Sequence, residues 1–282
     1  MARGAAGGYN SRVRWGLSLT CALALGCGDE VGIASAPAAS VRELGFVDLT
    51  QTQGGLRTRA VFARFHDMEA ADASRLLGLE DDGWAASAVE DSCLSIDPTE
   101  ALDAALPLDA VSLELLEVGP LAVRVASERT LLTAQPLVLP FAAGVVYEGE
   151  TRWLPEEEYV LEVDQVGRFA MQAPPDARME TPPTLVPGRD LLVRWEPSER
   201  RDLLFWVEVG WVRHGRSRLV RCATADDGAF AVPGALLLDA AESRVAPTAA
   251  IVRVKHAETP EGWRVRFASR GSAAIEVESA PR

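Results

Sequence analysis

Apolar and polar positions alternate with period two along much of the last third of the chain. Leu191, Val193 and Trp195 alternate with Leu192, Arg194 and Glu196, and Phe205, Val207, Val209 and Trp211 with Trp206, Glu208 and Gly210. Further on, Val252 and Val254 alternate with Arg253 and Lys255. Trp263, Val265 and Phe267 alternate with Arg264 and Arg266, and Ile275 and Val277 with Glu276 and Glu278. Successive side chains of a strand point to opposite sides, so this pattern predicts antiparallel strands with one buried face. Adding the apolar runs at 219–224 and 229–232 gives seven strands within residues 191–282.

The preceding part, residues 41–173, carries alternating or short apolar runs at 46–49, 56–65, 111–116, 121–125, 131–139, 145–147, 159–163 and 169–171. Two interruptions predict short helical insertions. Residues 67–77 open on Asp67 as an N-cap, and Asp97-Pro98-Thr99-Glu100 offers a cap, a proline at the first helical position and a reciprocal glutamate. Between the two parts, residues 174–190 hold Pro174, Pro175, Pro182, Pro183 and Pro187 without apolar periodicity, which predicts a linker whose last part serves as an edge strand. The fold class expected is mainly β: two β-sandwich domains, 41–173 and 191–282. The strand count and length of the second are those of an immunoglobulin-like domain.

The first fourteen residues carry Arg3, Arg12 and Arg14 and no acid, and an almost wholly apolar run of about eleven follows. That order is a secretory signal peptide, and the run is too short to span a bilayer, which needs about 20 apolar residues. Ala24-Leu25-Gly26-Cys27 resembles the lipobox of bacterial lipoproteins. The resemblance implies cleavage after residue 26 and a diacylglyceryl group on Cys27. Here Ala24 and Leu25 stand where that family usually has leucine and a small residue. Ordinary cleavage after Ala22-Leu23-Ala24 is the competing reading. Of Cys21, Cys27, Cys93 and Cys222, ordinary cleavage leaves three in an oxidising compartment, whereas lipidation uses Cys27 and leaves Cys93 and Cys222 as one pair. That pair is either a disulfide joining the two expected domains or two separately buried thiols. Residues 27–40, small and uncommitted, form a lipidated tether with a reach of about 20 Å. Gly28, rather than aspartate after the lipidated cysteine, implies by the same family habit an outer-membrane location, with the protein facing the periplasm or the surface.

Removing residues 1–26 takes three positive charges with it and lowers the net charge from −13 to −16. An acidic chain lacks the basic footprint that nucleic acid or an anionic membrane surface requires. The expected partners are therefore the membrane through its lipid, an envelope protein or an anionic glycan, and no nucleic acid.

Leu191 to Pro197, LLVRWEP, looks like the second strand of fibronectin-type-III and related immunoglobulin-like domains, where a tryptophan ends a strand ahead of a proline. From Cys222 to Leu237 the chain is similar to a C-x-x-x-D-D-G-x-F-x-V-P-x-x-L-L pattern of myxobacterial-type envelope lipoproteins of unknown function. The resemblance implies fold and location and carries no active site. Physically, Asp227-Gly228 between two apolar runs is a hairpin signal, because both central positions of a type I′ turn need positive φ. Asp226 beside it invites calcium, but neither an EF-hand loop nor D-x-D-x-D-G spacing is present.

The sequence has no G-x-S-x-G elbow, P-loop or G-x-G-x-x-G, and His66, His214 and His256 are scattered, with His214 inside a turn-like Arg213-His-Gly-Arg216. No catalytic residue, metal ligand or cofactor is expected. Taken strand by strand, the alternation places Arg194, Arg253, Lys255, Arg264 and Arg266, with Trp206, on an outward face. One reading is a binding face for an anionic glycan or acidic protein, Trp206 stacking on a sugar ring. The plainer one is cross-strand salt bridging by Glu196, Glu208, Glu276 and Glu278. A membrane-anchored binding or structural module is the function expected first. A carbohydrate-binding accessory protein is second, requiring Trp206 to be exposed. A secreted soluble hydrolase is third, requiring a pocket that gathers carboxylates or a histidine from distant strands.

Overall fold

The computed structural model describes residues 41–66, 73, 74, 77, 79, 82–96, 113–139, 142–164 and 167–278. The signal peptide, Cys27, the tether and the helical turn expected at 97–100 lie outside the described residues. Of the helix expected over 67–77, Ala73 and Ser74 are described as helical, and Leu77 N donates to Ala73 O at 3.1 Å.

The chain is mainly β. Its strands are β1 (Val41–Thr52), β2 (Gly55–His66), β3 (Ser92–Ile96), β4 (Leu113–Leu115), β5 (Leu121–Val125) and β6 (Glu128–Leu131). There follow β7 (Thr133–Leu139), β8 (Ala142–Thr151), β9 (Glu158–Val163), β10 (Gly167–Gln172), β11 (Thr184–Leu185) and β12 (Leu191–Arg194). The last are β13 (Leu204–Arg213), β14 (Arg216–Ala223), β15 (Ala229–Val232), β16 (Thr248–Glu258), β17 (Arg264–Ala274) and β18 (Glu276–Val277). A short helix, α1 (Gly83–Ser87), directly precedes β3. The strands expected in 191–282 all form, and in the first part the alternation missed only β3 and β6.

Ten strands make one sheet in the order β3-β14-β13-β16-β17-β1-β2-β4-β8-β7. Its front face is roofed twice. The four-stranded sheet β10-β9-β5-β6 covers one end, where Val47, Phe62, Tyr147 and Phe267 pack on Leu121, Val123, Tyr159 and Leu161. The ribbons β12-β15 and β11-β18 cover the other, where Val207, Val209 and Ile251 pack on Leu185, Val193, Trp195 and Val232. The reverse face is covered as well: Phe46, Val61 and Phe65 lie against Ala73, Leu77 and Leu79, and Trp206, Val252 and Val254 against Trp84 and Ala85 of α1.

Strand pairing does not follow the division expected at residues 174–190. β1 pairs in parallel with β17, with Phe46 opposite Arg264 and Thr50 opposite Ala268. β3 pairs with β14. Strands from both sides of the proline-rich stretch thus alternate within one sheet, because β17 and β14 each have a free edge that a strand from the first part fills. The stretch itself is packed. Pro175 O accepts from Ser269 Oγ at 2.7 Å, Asp176 Oδ1 accepts from Trp153 Nε1 at 2.7 Å and from Gln51 Nε2 at 3.0 Å, and Thr184 and Leu185 form the expected edge strand beside β18. Gly271 shows how close the approach is: a Cβ there would meet Ala177 O at 1.8 Å.

Of the two expected turns, the one at Arg213-His-Gly-Arg216 forms and the hairpin at Asp227-Gly228 does not. β13 and β14 are joined through His214 and Gly215, with φ of 50° and 76°, the positive pair that a two-residue hairpin needs. Residues 226–228 instead carry the chain from the ten-stranded sheet to β15, which pairs with β12, so no hairpin forms there.

Candidate functional site

Register decides the fate of the basic face expected in the second half. Residues directly opposite in paired strands share a face. Arg253 lies opposite Phe205 and Ser269, and Lys255 opposite Phe267, so both belong to the front of the sheet. Arg266 lies opposite His256 and Asp48, which with Arg264 and Trp206 puts it on the reverse. Arg194 sits exposed on the separate β12-β15 ribbon, and Arg264 is also exposed. The six residues therefore do not form one surface. Trp206, Arg253 and Arg266 are 0%, 1% and 2% exposed, against the expectation that they face solvent. The reason is that the alternation reports which side of a strand a residue occupies, while α1 and residues 173–179 cover the sides assumed to be bare.

The buried charges are paired, though mostly by other acids than those expected. Arg253 is the hub. Its guanidinium donates from Nε and Nη2 to both oxygens of Asp226 at 2.7 and 3.0 Å, and to the carbonyls of Asp176 and Glu196, with Phe205 under it. Asp226 also accepts from Trp195 Nε1 at 2.8 Å. The Asp-Asp-Gly motif and the tryptophan of LLVRWEP thus meet at one arginine, which joins β16, the end of β12, the 226–228 crossing and the proline-rich stretch. Both Asp226 oxygens are used by these donors, and among the described residues no three or more His, Cys, Asp and Glu side chains converge as metal ligands.

On the reverse face Glu208 accepts from Trp206 Nε1 at 2.9 Å and pairs with Arg221 at 2.8 Å and with Arg270. Farther along, Glu148, Arg59, Asp48 and Arg266 stand directly opposite one another across four paired strands, a ladder of alternating charge, with His256 opposite Arg266 on the next strand. Arg266 pairs with Asp48 at 2.8 Å and with Asp82, which His256 Nε2 approaches at 3.3 Å. Burial alone would raise the Asp82 carboxyl, but the hydrogen bond from His256 and the facing Arg266 outweigh it and hold the group below the ordinary carboxylate range.

Cys93 and Cys222 face each other across the β3-β14 pair, with Sγ atoms 2.13 Å apart in a disulfide. Near this edge lies an open cleft of about 730 Å³, walled by Glu90, Glu199, Arg201, Phe205, Thr224 and Asp227. Arg200, also in its wall, donates to both oxygens of Asp202 at 2.9 and 2.7 Å and to Ala173 O at 3.0 Å. Those bonds, with Lys255 Nζ 3.3 Å from the same carboxylate, hold Asp202 far below the usual carboxylate range. The cleft combines an apolar Phe205 with mixed charge on its rim, features of a recognition surface.

The alternation does not reveal Asp82, the last acid of the run Glu80-Asp81-Asp82, or Asp176, a lone acid in the proline-rich stretch, and the motif around Asp226 suggests only a turn or a calcium ligand. Among the described residues no helix is long and apolar enough to cross a membrane. No known protein-family model matches the sequence, and no curated protein matches it.

Proposed function

We propose that the protein is an exported lipoprotein, moored through a diacylglyceryl group on Cys27, that serves at the cell envelope as a binding or structural module without catalysis of its own. The disulfide between Cys93 and Cys222 carries the reading: such bonds persist in oxidising compartments and are rare in the cytosol, in agreement with the export segment ahead of Cys27. The interior supports the second half of it. Arg253, Arg266 and Glu208 are committed to ion pairs that lock strands together, which suits a rigid display scaffold whose loops and edges recognise a partner. A diacyl anchor gives stable attachment where one chain would not. The outer membrane is the proposed site, with an envelope protein or an anionic glycan as partner.

The carbohydrate-binding alternative loses its stacking residue, since Trp206 is buried. The test of the main reading is direct. In cells fed labelled fatty acid, the wild-type chain takes up label and sediments with membranes, whereas Cys27→Ser takes up none and becomes soluble. Equal labelling of both, or a variant that stays in the membrane fraction, overturns it.

A further inference from the structure

We propose that Arg124, Arg129 and Arg168, on the outer face of the four-stranded sheet, form a cradle for the phosphate group of a sugar phosphate. Arg168 stands directly opposite Glu162, and Arg124 directly opposite Arg129. The three guanidinia converge on the Glu162 carboxylate, each through Nε: Arg129 at 2.7 Å on Oε2, Arg168 at 3.5 Å and Arg124 at 3.7 Å on Oε1. Glu162 lies at the bottom, its side chain 14% exposed, while those of the arginines are 41%, 50% and 67% exposed. One carboxylate thus aims three cations and neutralises only one of them. Among the described residues, Glu162 is the one acid with which any of the three forms an ion pair. Paired N–H groups on a planar fork match the oxygens of a phosphate.

Two further observations point to a ligand. Like charges directly across a strand pair destabilise it, yet Arg124 and Arg129 occupy such a pair; departures from local rules of this kind are expected at functional sites. Arg129, Arg168 and Glu162 of the cluster, with Pro120, Val163, Asp164 and Gly167, line an open cleft of about 540 Å³. That is room for one sugar ring. Asp164 on its rim accepts hydrogen bonds from hydroxyls and opposes a second anionic group, which favours a saccharide bearing one phosphate over a polyphosphate. The same chemistry occurs in a free sugar phosphate and in the phosphorylated headgroup of a glycolipid.

The full mature chain carrying Cys27→Ser, so that no anchor partitions by itself, is titrated with inorganic phosphate, with glucose 1-phosphate, and with phosphatidylcholine vesicles with and without lipid A, a phosphorylated glucosamine lipid. Arginine Nε–H and backbone amide NMR signals of residues 124, 129 and 168 are followed. Saturable shifts with glucose 1-phosphate, tighter than with inorganic phosphate, support a soluble ligand. Binding to lipid A vesicles alone supports a headgroup. Arg129→Gln with Arg168→Gln weakens either by about tenfold or more, as expected for lost charge-assisted bonds, while Arg57→Gln with Arg64→Gln, equal in charge and elsewhere on the surface, leaves it unchanged. Arg168→Gln alone, at the most exposed position, serves if the double variant does not fold. No saturable shift with any probe, or equal weakening by both double variants, overturns the cradle; equal affinity for inorganic phosphate overturns the saccharide.

Discussion

Arg253 shows why one side chain can matter more here than its neighbours. At 1% exposure its charge is tolerable only because Asp226 and two carbonyls surround it, and the cost of a buried ion appears when one partner is removed. Arg253→Met should therefore destabilise the fold by about 3–5 kcal/mol in denaturant unfolding, since it strands the Asp226 carboxylate. Adding Asp226→Leu should restore part of the loss; a double variant no more stable than the single one would show that the pair is not the source. Tyr159 gives a second case. It is 2% exposed, donates to Arg152 O at 2.8 Å and accepts from Leu154 N at 2.7 Å, and burial pushes its hydroxyl up to about 12. The folded state thus holds this proton more tightly than the unfolded chain, whose tyrosines titrate near 10. The stabilisation is fully present below pH of about 10 and is lost as pH rises towards about 12. Stability measured across that window should fall in the wild type and fall less steeply in Tyr159→Phe. None of these partners was legible beforehand: the tryptophan of LLVRWEP and the acids at 226–227 were visible as motifs, but joining them to Arg253 requires knowing that residues 252–255 have both faces covered. Alternation of Val252 and Val254 with Arg253 says only that the two sets differ in side.

At the scale of elements, legibility followed the strength of the period-two signal. β13, β16 and β17 carry long alternating runs and were found; β3, Ser-Cys-Leu-Ser-Ile, has only two large apolar residues and was not. Its place is fixed by pairing with β14 and by the disulfide, which spans a sequence separation of 129 residues. In the chain-entropy model, closing a loop of that length contributes about 4–5 kcal/mol. Cys93→Ser with Cys222→Ala should lower stability by about 2–5 kcal/mol, and reductant should destabilise the wild type by a similar amount while leaving the double variant unmoved. A wild type indifferent to reductant would mean that the bond does not hold the edge. Proline density misled in a different way. Residues 174–190 lack periodicity because they are not a regular strand, but their carbonyls and Asp176 are bonded to β17, β16 and the loop after β8. Irregular backbone packed this closely reads, from sequence alone, like a linker.

For the whole molecule, the consequence is that the two halves cannot be separated along the chain. Residues 39–282 form one compact unit, and the ten-stranded sheet runs through it without a break. An autonomous domain carries its own core. A fragment of residues 191–282 would keep β12 to β18 but lose β1 from the edge of β17 and β3 from the edge of β14. Val265 and Phe267, buried at 1% and 0%, pack in the core roofed by β5 and β9 and would be left bare. Leu185 and Ala177 would be missing from the other core, and Arg253 would lose the Asp176 carbonyl. The fragment is therefore expected to lack dispersed NMR signals and a cooperative thermal transition, and chain cleaved at residues 174–190 should stay associated under native conditions. A folded 191–282 fragment with a sharp melt would show that the sheet is two domains abutting at β1 and β17. The expected continuity bears on role as well. The four-stranded sheet that bears the three arginines packs on the ten-stranded sheet through Leu121, Val123, Tyr159 and Leu161, so the proposed cradle is held in fixed relation to the loops and the proposed recognition would cost little ordering at the moment of contact.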